Sequence, residues 1–372
     1  MTRRKSRAVN CGGVIIGGEA PISIQSMTNT DTRDVKATIR QIEALSEAGC
    51  DIVRVAAPDM EAVEALGAIK RVRGLPPIVA DIHFDYRLAI AAIEAGADKI
   101  RINPGNIGGR ENVKRVVECA KTFGIPIRIG VNAGSLEREI AAKYGGATAE
   151  AAAESALKHI AMLEDMDFDN IVVSIKMSDI RANYEAHMIA AANTEYPFHI
   201  GVTEAGYGMS GVTKSTVGIG ALLMSGVGDT LRVSLTGDPV KEAELAAEIL
   251  KSLDLKDGAA HIVSCPTCGR CHVDLEALVK VVESGAREME KRIKGRAGAD
   301  RAASVTVAVM GCAVNGPGEA AHADVGVACG NGKGLIFQNG SVIKTVGEKD
   351  IASELLNRAE ALWLDKLQRR SS

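Results

Sequence analysis

Apolar residues recur between residues 23 and 253 in two alternating patterns. Short runs rich in Val and Ile predict buried strands, and longer stretches with apolar positions three and four residues apart predict amphipathic helices between them. A short glycine-rich hairpin is predicted before them, at 8–20. The predicted strands are residues 23–27, 52–56, 77–82, 99–103, 126–131, 171–176, 198–203 and 230–235. Eight strand–helix pairs predict a (β/α)8 TIM barrel that ends near Leu253.

An internal repeat supports the barrel. The segment AGCDIVRV at 48–55 recurs as AGADKIRI at 95–102 and as GVGDTLRV at 226–233. Each copy reads as a helix end followed by a strand, which is typical of a fold made of like units. The competing fold is an open doubly wound sheet. The strand count and the absence of a G-x-G-x-x-G turn argue against it.

A second domain follows the barrel. Residues 254–260 are polar and interrupt the alternation, so we expect a barrel domain at 1–255. Residues 261–372 contain a strand, a long helix, a further strand, a hairpin and a last helix in the predicted pattern. This order predicts a small α+β domain.

Composition narrows the function classes. The 372 residues carry a net charge of −3, which favours neither nucleic acid nor a membrane surface as a partner. No apolar run is long enough to span a bilayer, and we expect a cytoplasmic protein. Eight cysteines in such a chain are expected to be metal ligands or buried thiols rather than disulfides. The cysteines predicted to be buried thiols are Cys11, Cys50, Cys119 and Cys329.

Polar residues share one face at the ends of the predicted strands. Residues two apart in a strand point the same way, as Asp81 and His83 or Arg101 and Asn103 do, and their neighbours are apolar. TIM barrels place their active sites at the carboxyl ends of the strands. Five cations there predict a positive mouth that binds an anionic, phosphorylated ligand: Arg54, Arg101, Arg128, Lys176 and Arg232. A surface ion pair is the alternative for any single one of them.

A glycine-rich loop follows the seventh predicted strand, at residues 203–211. Loops at this position often bind phosphate through backbone N–H groups and a helix N-terminus. Glu204 lies at the strand end and is predicted to act as an acid or base, or else to pair with Lys176.

Cysteines in the second domain have metal-site spacing. Cys265 and Cys268 are separated by two residues, Cys312 lies in a glycine-rich turn, and Glu319 follows seven residues later. Thiolates bind zinc or iron–sulfur clusters, and the spacing leaves both open. One possible ligand set is Cys265, Cys268, Cys312 and Glu319. Another includes Cys271, and a zinc site with Cys271 or His272 as the fourth ligand is the structural alternative.

Seven motifs carry a resemblance to a known family. They are QSMTNT at 25–30, ADIHFDY at 80–86, RINPGNI at 101–107, RIGVNAGSL at 128–136, GDTLRVS at 228–234, CPTC at 265–268 and GCAVNGPGEA at 311–320. With them the chain resembles the bacterial 4-hydroxy-3-methylbut-2-enyl diphosphate synthases along nearly its whole length.

This resemblance implies a TIM barrel joined to a reductase-like domain with a [4Fe–4S] cluster, held by Cys265, Cys268, Cys312 and Glu319. It implies reductive ring opening of 2-C-methyl-D-erythritol 2,4-cyclodiphosphate with electrons from flavodoxin or ferredoxin. It also implies a head-to-tail homodimer in which the cluster domain of one subunit covers the barrel mouth of the other.

The two lines of reasoning together give a set of expected site residues. Glu319, Glu204 and Asn315 are expected to be catalytic. Those expected to bind substrate are Arg54, Asp81, His83, Arg101, Asn103, Arg128, Asn132, Lys176 and Arg232. Cys271 and Met209 depart from the family pattern, and the sequence leaves their roles open. The competing functions are a TIM-barrel phosphosugar lyase or hydrolase with a structural zinc domain, and an electron carrier.

Overall fold

The computed structural model describes residues 2–256, 260–271, 273–297, 303–312 and 322–369. The chain divides into two compact units at Leu253, and each unit is described by itself. None of the helices in the described ranges has the length and apolarity that crossing a bilayer would require.

The first unit begins with a hairpin and continues as a closed parallel barrel. Strands β1 (Val9–Cys11) and β2 (Val14–Ile16) form the antiparallel hairpin. The barrel strands are β3 (Ser23–Met27), β4 (Ile52–Ala56), β5 (Ile78–Asp81), β6 (Lys99–Ile102), β7 (Ile127–Asn132), β8 (Ile171–Lys176), β9 (His199–Ile200) and β10 (Thr230–Leu231). They pair in the order β8-β7-β6-β5-β4-β3-β10-β9, and a parallel bridge between Val173 and Phe198 joins the two ends. The predicted TIM barrel is confirmed.

Helices connect the strands and cover the barrel. They are α1 (Val35–Glu47), α2 (Met60–Lys70), α3 (Tyr86–Glu94), α4 (Arg110–Phe123), α5 (Arg138–Lys143), α6 (Ala149–Glu164), α7 (Ile180–Asn193), α8 (Gly208–Met224) and α9 (Pro239–Ser252). Aspartates at the helix starts, such as Asp59 and Asp179, accept hydrogen bonds from backbone amides of the first turn. At these helices the caps set where the strand-to-helix loop ends.

The hairpin closes one end of the barrel. Val9, Cys11 and Ile16 are buried in one cluster with the inward-facing Ile52, Val79 and Val172. Ile52 and Val172 lie at the starts of their strands, so the hairpin covers the amino ends. The carboxyl ends are the end at which TIM barrels place their functional residues.

Two strands are shorter than the sequence predicted. Strands β9 and β10 contain only two residues each, where residues 198–203 and 230–235 were expected. A Cβ atom added to Gly201 would lie 2.5 Å from the Arg232 carbonyl oxygen, so the two backbones approach closely just beyond the paired segment. Regular strand pairing stops there, and both segments continue as loops at the mouth of the barrel.

In its described residues, the second unit has a mixed sheet and two α-helices, as an α+β domain requires. Its elements are β11 (Ala260–Ser264), α10 (Leu275–Ala297), β12 (Val305–Met310), β13 (Val325–Gly330), β14 (Lys333–Gln338), β15 (Ser341–Gly347) and α11 (Ile351–Arg369). Strands β11, β12 and β13 are parallel, and β14 and β15 extend the sheet antiparallel. Val307, Val327 and Trp363 belong to its buried core.

Candidate active site

The barrel gathers five cationic side chains around its interior. Arg54, Arg101, Arg128 and Lys176 come from four different strands and are each at most 8% exposed. Arg232 follows β10 and is 16% exposed in its side chain. The other four lie close enough to Lys176 to lower its pKa, which burial lowers first and most. The sequence-predicted cations therefore form one electrostatic cluster.

Asp81, at the end of β5, is the carboxylate that organises one side of this cluster. Its Oδ1 lies 3.4 Å from Arg101 Nη1, and its Oδ2 lies 3.9 Å from Arg54 Nε and 3.4 Å from His83 Nε2. Burial opposes ionisation of Asp81, but the cations outweigh it and hold its pKa well below the usual value. Asp81 is thus an ionised anchor between two strands.

Glu242 anchors the other side and was missed in the sequence. It is buried in the first turn of α9, and its Oε2 lies 3.2 Å from Arg232 Nε. The same oxygen accepts a hydrogen bond from Ser26 Oγ at 2.9 Å, and Oε1 accepts one from the Leu235 amide at 3.0 Å. Because Glu242 lies on a helix, strand parity alone could not find it.

Two of the cations have no such partner. Within the described part of the chain, neither Arg128 nor Lys176 forms an ion pair with a carboxylate, and Arg128 Nε and Nη1 have no hydrogen-bond partner. Burial first, then the neighbouring Arg54 and Arg101, lower the pKa of Arg128. Uncompensated buried charge is unfavourable. An anionic ligand would neutralise the charge of Arg128 and Lys176, so the barrel interior is a candidate anion-binding site.

Asparagines line two neighbouring mouth loops. Asn103 follows β6, is 4% exposed and donates from Nδ2 to Ser135 Oγ at 3.3 Å. Asn132 ends β7 and is paired in register with Lys176 on β8. Both predicted asparagines thus lie beside the cationic cluster, at the carboxyl ends of their strands.

Glu204 stands in the loop between β9 and α8 with an unusual backbone. Its φ of 53° is in the left-handed region, which is rare for a residue with a Cβ and often marks a functional position. Its carbonyl oxygen accepts a hydrogen bond from Lys214 Nζ at 3.3 Å. Glu204 is exposed, and no ion pair joins it to Lys176 in the described residues. Met209 is 80% exposed in the first turn of α8, where no side chain caps the helix.

Further polar side chains lie deeper in the barrel and were not predicted. Gln25, Lys99 and His199 are buried, and their side-chain nitrogens lack hydrogen-bond partners among the described residues. Burial lowers the pKa of Lys99 to about 8. Strand alternation could have identified Lys99, because it lies two residues before Arg101 on the same strand and so faces the same way. Burial lowers the pKa of His199 well below its usual value, so these groups extend the polar interior below the mouth, with Lys99 as its one cationic member.

Thiols in the second unit fit a soft metal group. Strands β11 and β12 are parallel neighbours, with Ser264 opposite Val309, so Cys265 and Gly311 follow at the same edge. The Gly311 amide donates to Cys265 Sγ at 3.3 Å, as backbone amides do to sulfur in iron–sulfur proteins. Cys265 and Cys312 are partly buried, and Cys268 is exposed. The donor set fits a thiolate-bound cluster, although no complete group of three ligands is gathered among the described residues.

The remaining predicted residues divide into two groups. Cys271 Sγ donates to the Val273 carbonyl oxygen at 3.3 Å, while Cys11, Cys50 and Cys329 are buried thiols as expected and Cys119 is half-buried. Glu319, Asn315 and His272 lie outside the described residues.

Family models match both units. A model of the GcpE TIM-barrel domain matches residues 6–247, and a model of the GcpE protein C-terminal domain matches residues 261–361. The chain belongs to the GcpE family. The resemblance found in the sequence motifs is therefore confirmed, and the cationic barrel and the thiol loop described above are features of a GcpE protein.

GcpE relatives are similar over nearly their full length. A protein from Geobacter sulfurreducens is 53% identical over 98% of this chain and 99% of its own. One from Clostridium perfringens is 51% identical over 97% of this chain and 100% of its own. Both are named 4-hydroxy-3-methylbut-2-en-1-yl diphosphate synthase (flavodoxin).

A solved structure of dihydropteroate synthase from Xanthomonas albilineans also aligns, with a TM-score of 0.47 and 14% identity over 67% of this chain and 97% of that one. That similarity is too low to carry an argument.

Proposed function

We propose that this chain is an oxidoreductase that converts 2-C-methyl-D-erythritol 2,4-cyclodiphosphate into 4-hydroxy-3-methylbut-2-enyl diphosphate. The reaction adds two electrons and two protons, breaks one ring C–O bond to phosphate and releases one hydroxyl as water. The observation that carries the proposal is the buried cluster of five cations with two carboxylate partners, in a chain that matches these synthases at both domains.

The barrel residues would bind the diphosphate. A guanidinium group can donate two hydrogen bonds to the oxygens of one phosphate. A diphosphate would give Arg128 and Lys176 an anionic partner. The proposed binding residues are Arg54, Asp81, His83, Arg101, Asn103, Arg128, Asn132, Lys176 and Arg232. Asp81 would keep its arginines in place, and Asn103 and Asn132 would orient the hydroxyl groups.

Glu204 is the proposed acid–base residue. The departing hydroxyl needs a proton to leave as water, and an exposed carboxyl at a mouth loop can exchange protons with solvent. Its strained backbone supports this role, because such strain is kept where geometry serves a reaction.

GcpE enzymes are iron–sulfur proteins, and we propose a [4Fe–4S] cluster held by Cys265, Cys268, Cys312 and Glu319. When bound, such a cluster supplies electrons one at a time to the substrate. Cys271 is left out because its Sγ already bonds the Val273 carbonyl oxygen. Glu319 also counts as catalytic in this proposal, and Asn315 would orient the substrate. Residues 1–255 would then bind the substrate and residues 261–372 would hold the redox group.

The partners follow from the reaction. Flavodoxin is the electron donor that the relatives' names give, and ferredoxin is the alternative donor. We also propose a homodimer, because three apolar side chains on the mouth loops and the first turn of α8 are more than 70% exposed and would be covered by a second subunit: Phe84, Tyr207 and Met209. Thiolate ligands need a reducing compartment, which supports a cytoplasmic location.

Anaerobic turnover tests the proposal. Protein purified without air and supplied with reduced flavodoxin should convert the cyclic diphosphate to the allylic diphosphate, consuming two electrons per product. A parallel arm with ferredoxin shows which donor is used. No allylic diphosphate with either donor would contradict the proposal, and consumption of the cyclic diphosphate without a donor, to a product at the same oxidation level, would indicate a lyase.

A further inference from the structure

A buried carboxylate–histidine pair lies behind the two asparagine loops. Glu137 immediately precedes α5, yet its side chain makes no capping hydrogen bond there. It reaches α6 instead, where Ser155 Oγ donates to its Oε2 at 2.6 Å and His159 Nε2 lies 3.0 Å from its Oε1. The side chains of His159 and Glu137 are 2% and 20% exposed. The pair therefore ties the loop after β7 to the body of α6.

The histidine of this pair also supports the loop after β6. A Cβ atom added to Gly105 would lie 3.4 Å from His159 Nε2 and 3.3 Å from Asn103 Oδ1, so that glycine packs between the two side chains. The Gly105 amide donates to Asn103 Oδ1 at 3.0 Å. A side chain at 105 would crowd Asn103 Oδ1 and lie in contact with His159, so a displaced His159 would leave open space behind this turn.

Hydrogen bonds continue from this turn to the second asparagine. Asn103 Nδ2 donates to Ser135 Oγ at 3.3 Å, and Ser135 Oγ donates to the Asn132 carbonyl oxygen at 3.3 Å. Hydrogen bonds thus join the two asparagine loops to each other, Glu137 joins the β7 loop to α6, and His159 lies beside the Gly105 turn of the β6 loop. Displacing Glu137 would release the β7 loop directly and the β6 loop through His159.

The charge state of Glu137 suits a rigid support. Burial alone would raise the pKa of Glu137, but hydrogen bonding to His159 and Ser155 lowers it to about 2. Lys158 Nζ lies 3.7 Å from Oε1 and places a cation beside it. An ionised carboxylate that accepts the Ser155 hydrogen bond and lies beside His159 and Lys158 holds its loop on α6 more firmly than a neutral contact would.

We propose that Glu137 and His159 are positioning residues that hold the Asn103 and Asn132 loops in the shape that the cyclic diphosphate needs. The inference rests on the proposed function, which places both asparagines against the substrate. Residues that orient direct ligands typically change activity by about 10–100-fold when they are removed. We expect an effect of that size on kcat/KM, with most of it in KM.

The same two helices offer a matched control. Glu154 on α6 accepts hydrogen bonds from Lys143 Nζ and Tyr144 Oη at the far end of α5, both at 2.6 Å. It joins α5 to α6 as Glu137 does, but its partners are at the end of α5 away from the asparagine loops. Glu154→Gln removes one charge from the helix pair without touching Asn103, Asn132 or their supports.

The experiment measures kinetics and hydrogen exchange on Glu137→Ala, Glu137→Gln, His159→Leu and His159→Gln, with Glu154→Gln as the control. Glu137→Ala and His159→Leu should raise KM by about tenfold or more, and His159→Gln, which keeps an N–H donor, should recover part of the loss. In substrate-free protein, the amides of Gly105 and Asn106 should exchange faster in Glu137→Ala than in wild type. Glu154→Gln should leave KM and this exchange unchanged.

The outcomes separate the two proposals. Wild-type KM and unchanged exchange in Glu137→Ala would overturn the positioning role, and so would an equal KM change in Glu154→Gln. If Glu137→Ala does not fold, the isosteric Glu137→Gln and the His159→Gln and His159→Leu pair decide the question instead. If wild-type protein fails to turn over the cyclic diphosphate, the proposed function fails, whereas the exchange data still show whether the pair holds the loops.

Discussion

The barrel interior and the thiol loop of the second unit are built in opposite ways. In the barrel, the cations project from strands or strand ends, four of the five are buried, and three of them pair with Asp81 or Glu242. In the second unit, Cys265 and Cys312 follow strand ends and are only half-buried, and the Gly311 amide is the described donor to Cys265 Sγ. The barrel thus forms its cationic cluster from its own side chains, whereas the thiols of the second unit are suited to act as ligands of a metal group.

This difference separates binding from redox chemistry along the chain. Changes in the barrel should weaken substrate binding and leave metal content intact. Changes among the thiols should remove the metal and leave binding of the diphosphate by the barrel intact. The predictions below test this separation.

The largest effect is expected from Cys265→Ser. Loss of a thiolate ligand should remove most of the iron and lower turnover by more than about 100-fold, the upper end of what loss of a ligand's hydrogen-bond partner causes. Iron and sulfide analysis measures the first effect, and calorimetry of the cyclic diphosphate should show nearly unchanged binding. Cys271→Ser is the matched variant in the same loop and should keep its iron. Equal iron loss in the two variants would make Cys271 a ligand.

Arg128→Met should weaken substrate binding in the barrel without affecting the metal group of the second unit. We expect kcat/KM to fall by roughly 100-fold, with KM raised and kcat lowered, because a buried charge complementary to the diphosphate is lost. Iron content should not change. The urea midpoint should stay equal or rise, because an uncompensated buried cation is removed. Arg115→Met, an exposed arginine on α4, is the control. Unchanged kinetics in Arg128→Met would remove this residue from the site.

Mixing the Cys265→Ser and Arg128→Met variants tests whether the barrel of one chain works with the thiols of the same chain or with those of another chain. In a head-to-tail homodimer, Cys265→Ser and Arg128→Met subunits would reconstitute one intact site per mixed dimer, giving about a quarter of wild-type activity after random exchange. Co-expression from two differently tagged genes provides the mixed dimer for assay. Activity no higher than that of either variant alone would show that the sites do not combine across subunits.

The smallest effect concerns acid stability of the barrel. Burial lowers the pKa of His187 from 6.5 to about 4, so the unfolded chain binds a proton there over that pH range while the folded chain does not. The contribution of His187 to the free energy of unfolding is therefore fully present above pH 6.5 and is lost as the pH drops toward 4. Between pH 7 and 5 the free energy of unfolding should fall by about 2 kcal/mol. Urea unfolding of wild type and His187→Leu at both pH values should show a smaller loss in the variant. Equal losses would contradict the assignment.

Much of the fold could be predicted from the sequence because the barrel repeats a simple alternation. Ser23–Met27, Ile52–Ala56 and Ile171–Lys176 match the expected strands residue for residue. Helix α5 escaped prediction because six residues are too few to show helical periodicity. The early ends of β9 and β10 depend on the close approach at Gly201, which is a long-range contact that no local pattern reports.

The candidate site could be predicted only in part. Parity placed the arginines and asparagines of the strands on one face, since that property is local. Glu242, Glu137 and His159 could not be found this way, because they lie on or beside helices and reach the site only through the tertiary fold. The roles of all these residues remain predictions that the variants above test.

Metal analysis of protein purified without air tests the central claim most directly. The account predicts about four iron atoms and four acid-labile sulfides per chain, with broad absorbance near ~400 nm and no zinc. Stoichiometric zinc without labile sulfide would contradict it.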